Sequence, residues 1–123
     1  MSGRDLPEVL STIAVQARRT NLVRVGHLRA ALQRSADAGL DAEGWSDAER
    51  TAHQLAGSAG TFGYAAASDL ARQLEAVLAE LADGATAAEG LDERTVPDSG
   101  RLAAAVDLLD RLTDQLSTEP ELD

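Results

Sequence analysis

The chain has no cysteine, no lysine, only three prolines and three aromatic residues, and no apolar run long enough to span a bilayer. Without cysteine there are no disulfides, no thiolate nucleophiles and no cysteine-ligated metals. The missing apolar run excludes a membrane-spanning helix. No basic-then-apolar leader opens the sequence either, so the expectation is a soluble cytoplasmic protein. The few aromatics (Trp45, Phe62, Tyr64), set in a background of alanine and leucine, argue for helices rather than sheets. All eleven basic residues are arginine, and twenty-one acidic residues leave a net charge of −10. Binding a nucleic-acid backbone needs clustered cations that release counterions, so this balance argues against it and points to protein partners.

What is present is enough for one domain with one core. Asp5, Pro7 and Glu8 form a helix-start signal, predicting a first helix from there to about Arg19. Asn21 can cap a second segment whose apolar positions Val25, Leu28, Leu32 and Ala36 keep helical spacing up to Gly39. These two pieces can be one bent helix or two. Residues 40–45 are expected to connect, and Ser46 to Glu49 reads as a capping box that starts the next helix, with stripe Ala48, Ala52, Leu55, Ala59 and Phe62 ending at Gly63. After a tight turn another helix runs to about Ala82 on Leu70, Leu74, Val77, Leu78 and Leu81. Residues 83–98 lack a sustained period and are expected to form a mobile loop. A last helix, about 99–116, buries Leu102, Val106, Leu109, Leu112 and Leu116, and 118–123 is expected to be a disordered tail. The sum is an all-α antiparallel four-helix bundle over residues 1–117, with an additional N-terminal helical segment.

The chemistry concentrates on one helix. At about 100° per residue, His53 lies about 140° from the centre of its helix's apolar stripe, facing solvent. Gly57 and Gly60 follow it on that face, with Arg50 and Ser46 on the preceding turns. A glycine inside a helix costs about 1 kcal/mol against alanine, so two on an exposed face serve something other than folding. A tetrahedral phosphoryl group can sit against such bare backbone while a second protein closes over the imidazole. The hairpin turn centres near Tyr64, which puts His53 and Glu75 level, each about 16 Å from the turn. A carboxylate there fixes the tautomer, leaves the other ring nitrogen's lone pair outward, and stabilises the cation formed on phosphorylation. By the same symmetry Arg72 lies level with Ala56.

The segment 52–64, Ala-His-Gln-Leu-Ala-Gly-Ser-Ala-Gly-Thr-Phe-Gly-Tyr, resembles the signature of histidine-containing phosphotransfer (HPt) domains, especially the phosphotransfer domain of the chemotaxis histidine kinase. The matching features are His53, Leu55, Gly57, the small-residue run Ser58 to Gly63, and Glu75 in a following leucine-rich helix. The resemblance implies a monomeric phosphoryl carrier rather than an enzyme, with no cofactor of its own. His53 would take the group on its ε nitrogen from a hybrid sensor kinase or its receiver and pass it to a response-regulator receiver, which brings the magnesium. Glu75 would orient the ring, and Gly57 and Gly60 would give access. Many members carry a lysine where this chain has Ala56, so Arg50 or Arg72 would have to supply positive charge.

Two other readings stand beside this one: the phosphotransfer domain of a larger kinase, or a helical adaptor that binds receivers without being phosphorylated. A start at methionine and the lack of a glycine-rich nucleotide loop favour a freestanding carrier. Glu49 and His53 stand one turn apart, but no second Glu/His pair accompanies them, so no metal site is expected. His27 reads as a surface residue, Trp45 and Phe62 as packing, and Tyr64 as a residue able to touch a partner.

Overall fold

The computed structural model describes residues 5–37, 39–89 and 99–117. They form four helices: α1 (Asp5–Asp37), α2 (Ala42–Thr61), α3 (Ala65–Glu89) and α4 (Ser99–Ser117). The described residues contain no strand, and the protein is an all-α four-helix bundle. Around the ring α1 packs on α2, α2 on α3, α3 on α4 and α4 on α1, with α2 and α3 the most closely associated pair. Ala48, Ala52, Ala56 and Ala59 supply most of the buried side of α2, and such small side chains let α3 come near.

The two N-terminal pieces are one unbroken helix of 33 residues, about 50 Å long. Asn21 is therefore not a cap, which would need extended backbone and a side chain turned back onto its own helix's amides. Its side chain is buried: Nδ2 donates to Ser58 Oγ of α2 at 3.1 Å, and Oδ1 accepts from Arg24 Nη1 at 2.8 Å. It is, with Ser35, one of two polar members of the buried stripe Asn21, Val25, Leu28, Leu32 and Ser35. The side chain of Ala36, expected on this stripe, lies outside the described residues.

α2 starts four residues before the capping box at Ser46. Asp41 is the cap, its carboxylate accepting from the Gly44 amide at 2.8 Å. Leu40, packed against the core, and Trp45, almost wholly buried, occupy the two positions of a hydrophobic staple around this cap. Burial of the indole selects Asp41 over Ser46, which stays exposed. A Cβ at Gly44 would fall 2.6 Å from Leu40 Cγ, so glycine is what lets the staple close.

The α2–α3 turn follows the sequence closely. Gly63 takes φ 88°, and the amide of Tyr64 reaches the carbonyl of Ala59 at 2.9 Å, the 6→1 bond of a Schellman ending. Tyr64 is buried and does not present a ring to partners. α3 continues past Ala82 to Glu89, so residues 83–89 of the expected loop are helical. Gly84 costs about 1 kcal/mol there, and three alanines in the next four residues outweigh it. Residues 90–98 and the tail 118–123 lie outside the described residues.

On α4 the buried side is Ala105, Leu108, Leu109, Leu112 and Leu116, whereas Val106 is 39% exposed. The helix is rotated from the expected stripe because burying Leu108 removes more apolar surface than burying Val106. Arg18 of α1 closes the end of α4, donating from Nε to the carbonyl of Leu116 at 2.7 Å and from Nη2 to that of Ser117 at 3.0 Å. A guanidinium at unsatisfied C-terminal carbonyls also opposes the negative end of the helix dipole. Further along the antiparallel pair, Arg29 reaches Asp110 at 3.0 Å.

Candidate functional site

Two pairs fix the register of the α2–α3 hairpin. His53 meets Glu75, and Gly60 faces Ser68, both symmetric about residue 64. Ser68 is buried and its Oγ donates to the carbonyl of Ala56 at 2.8 Å, tying α3 to α2 one turn from His53. This bond has no periodic signature and escapes sequence reasoning. A serine on the buried side of an alanine-rich helix was the one available hint.

The His53 side chain is 77% exposed, while Glu75, set in the seam between the helices, is 24% exposed. Nδ1 of the ring lies 2.7 Å from Oε1 of Glu75 and 3.2 Å from Oε2. An ionised carboxylate can only accept, which assigns a proton to Nδ1; in the neutral ring the lone pair is then on Nε2. Together with Ala56, Gly57 and Arg72, the pair lines one shallow concavity.

The two glycines on this face differ. A Cβ built on Gly57 meets nothing within 4 Å, so no neighbour of this chain needs that position bare. A Cβ on Gly60 would come 3.2 Å from Ser68 Oγ, so Gly60 has a packing reason of its own. The arginines differ too. Arg72, on α3 one turn before Glu75, lines the concavity and leans 3.6 Å from Asp69. Arg50 is outside that lining and sits 3.5 Å from Asp47 on its own helix. Both pairs are exposed, the kind that holds its partners loosely.

Glu49 and His53 recruit no further ligand, and no group of three or more His, Cys, Asp or Glu suited to a metal occurs among the described residues. His27 is exposed on α1. No helix among the described residues is long and apolar enough to cross a membrane.

The geometry is therefore that of an outward imidazole with one nitrogen anchored and the other presented over bare backbone. No curated protein and no solved structure matches the chain. The sequence model of the family described as Hpt domain matches residues 5–119, nearly the whole length, and the chain belongs to that family. Hpt domains serve histidine phosphotransfer in phosphorelays as carriers rather than catalysts, with receiver domains and kinases as the partner class.

Proposed function

We propose that this Hpt-family chain carries a phosphoryl group on Nε2 of His53, taking it from a hybrid sensor kinase or its receiver and delivering it to the receiver of a response regulator in the cytoplasm. The observation that carries the reading is the 2.7 Å contact from Nδ1 to Glu75, which supports the opposite nitrogen as the nucleophile. In the uptake step the Nε2 lone pair attacks the phosphorus of an aspartyl phosphate. The N–P bond forms as the P–O bond to the aspartate breaks, and the carboxylate leaves with the bonding pair. The ring keeps its Nδ1 proton and becomes cationic, and the Glu75 carboxylate beside it offsets that charge. The reverse step reloads a receiver.

Gly57 gives the phosphoryl oxygens and the incoming receiver room above α2, and Gly60 extends the bare strip toward the turn while clearing Ser68. Arg72 supplies positive charge from α3 in place of the lysine absent at Ala56, with Arg50 adding to it from the preceding turn. No cofactor is needed, because the receiver brings the metal and the groups that act on the leaving carboxylate. One bundle suffices for the chemistry.

Incubation with a phosphorylated receiver tests the proposal. The chain should gain an acid-labile, base-stable phosphate that is absent in His53→Gln. Label that persists in that variant, or no label on the unaltered chain with any receiver of its own organism, overturns it, and the second outcome favours the unphosphorylated adaptor. Within the proposal, Arg50→Ala with Arg72→Ala should slow transfer about tenfold, the worth of one charge-assisted contact. An unchanged rate removes both arginines from the site.

A further inference from the structure

The bundle proper begins at Arg18, which reaches the last carbonyls of α4, and at Asn21, which faces Ser58 near the end of α2. Residues 5–17 of α1 run on beyond it for about 20 Å. On the side that continues the stripe the same helix buries farther on at Val25, Leu28 and Leu32, their apolar positions are 6, 9, 10, 13, 14 and 17, whereas Val15, 46% exposed, lies on the far side of the helix. Yet Val9 is 49%, Leu10 56% and Ile13 42% exposed. No described helix of this chain packs along that stretch, because α2 turns back at Gly63 and α4 closes at Ser117.

The geometry points to a second copy of this chain as the occupant, its own α1 extension packed antiparallel against this one across a two-fold axis level with residues 11 and 12. Three observations select that occupant. On the stripe's side of the helix the apolar positions are symmetric about this point, so 6 comes level with 17, 9 with 14, and 10 with 13. The pairing also sets large against small at 6/17 and 9/14 and brings Leu10 and Ile13 together nearest the axis, whereas parallel pairing would stack each residue on itself and leave gaps at the alanines. Length matches as well. The midpoint of Asp5, where α1 starts, and Arg18, where the bundle starts, is the same point, so the two helical extensions overlap along their whole length.

Charge agrees with this orientation. The first turns of α1 are acidic, at Asp5 and Glu8, with Arg4 just before them in the sequence, and the base is basic, at Arg18 and Arg19. Antiparallel pairing brings these opposite ends together, in a chain whose net charge of −10 would otherwise keep copies apart. The contact is short beside the roughly 1,200 Å² of a stable interface, so the dimer is weak and forms with rising concentration. The monomer expected from the sequence is then the dilute state. This inference is independent of the phosphocarrier reading.

Sedimentation equilibrium of the intact chain from micromolar to millimolar concentration is the test. The mass should rise from one toward two chains of 12.9 kDa. Leu10→Glu with Ile13→Glu should hold it at one chain throughout, with unchanged helicity by circular dichroism and unchanged phosphate uptake, while Val106→Glu should leave dimerisation intact. Orientation is read from single cysteines in this cysteine-free chain. Val9→Cys mixed with Ala14→Cys should give a disulfide between the two variants, and neither alone should cross-link as well. A single-chain mass at every concentration overturns the inference, whether or not the Leu10/Ile13 variant is slower with a receiver. A slower variant would assign the face to that partner. Self-cross-linking of each variant as efficient as the mixture overturns the antiparallel arrangement.

Discussion

The α2–α3 hairpin and the extension of α1 use the same helical alphabet to opposite ends. In the hairpin the centre of the apolar stripe is buried, with Leu55, Leu74 and Leu78 at or near zero exposure and Phe62, Leu70 and Val77 half-buried at its edges, and the outward face carries glycine, histidine and charge. In the extension the stripe is as regular, but Val9, Leu10 and Ile13 stand exposed because no described helix of the bundle packs along them. Periodicity therefore specifies which side of a helix is apolar, whereas burial depends on whether another element arrives there. The hairpin also tolerates residues that are poor for folding, Gly57 above all, at the place where access matters.

The difference is sharpest in stability. Leu74→Ala empties a fully buried site on α3 and should cost about 2–5 kcal/mol. Leu10→Ala on the extension should stay within about 0.5 kcal/mol in the dilute chain. Urea unfolding of both, monitored by circular dichroism, checks the contrast, and equal losses would mean the extension is covered within one chain.

Removing Glu75 should separate function from folding inside the hairpin. Glu75→Ala should slow phosphate uptake by about 10–100-fold, the usual loss when a partner that orients a functional imidazole is removed. Glu75→Gln, which still accepts a hydrogen bond but carries no charge, should fall between the two. Rapid-quench transfer from a labelled receiver measures the rates, and unfolding midpoints should move little because the carboxylate is bonded only at the surface.

The smallest effect concerns the glycines. Gly57→Ala places a methyl in open space and should stabilise the helix by up to about 1 kcal/mol while slowing transfer. Gly60→Ala should gain less, because its methyl presses on Ser68 Oγ at 3.2 Å. If Gly60→Ala stabilises more, or if Gly57→Ala leaves transfer untouched, the division of roles between the two is wrong.

The pairing of His53 with Glu75 was legible because it rests on rise per residue and on one turn, and Gly63 fixes that turn through its backbone alone. The ends of α2 and α3 were not legible to the residue. Asp41 and Ser46 both offer an oxygen to a helix start, and the choice is made by burial of Trp45, a tertiary effect. Gly84 marks a helix end only where the following residues disfavour helix, and alanine at 85, 87 and 88 does not. Asn21 was misread because a capping residue and a buried amide look alike until Ser58 is brought beside it. Val106 and Leu108 could trade places on α4 because the pattern admits two stripes a fraction of a turn apart.

The nitrogen that carries the phosphorus is the most direct test of the central claim. In the phosphorylated chain with ¹⁵N-labelled histidine, the ¹⁵N–³¹P coupling identifies the bonded ring nitrogen. With Nδ1 held by Glu75, the coupling should belong to Nε2 of His53. Phosphorus on Nδ1 would contradict the account, since that nitrogen could not then donate to the carboxylate.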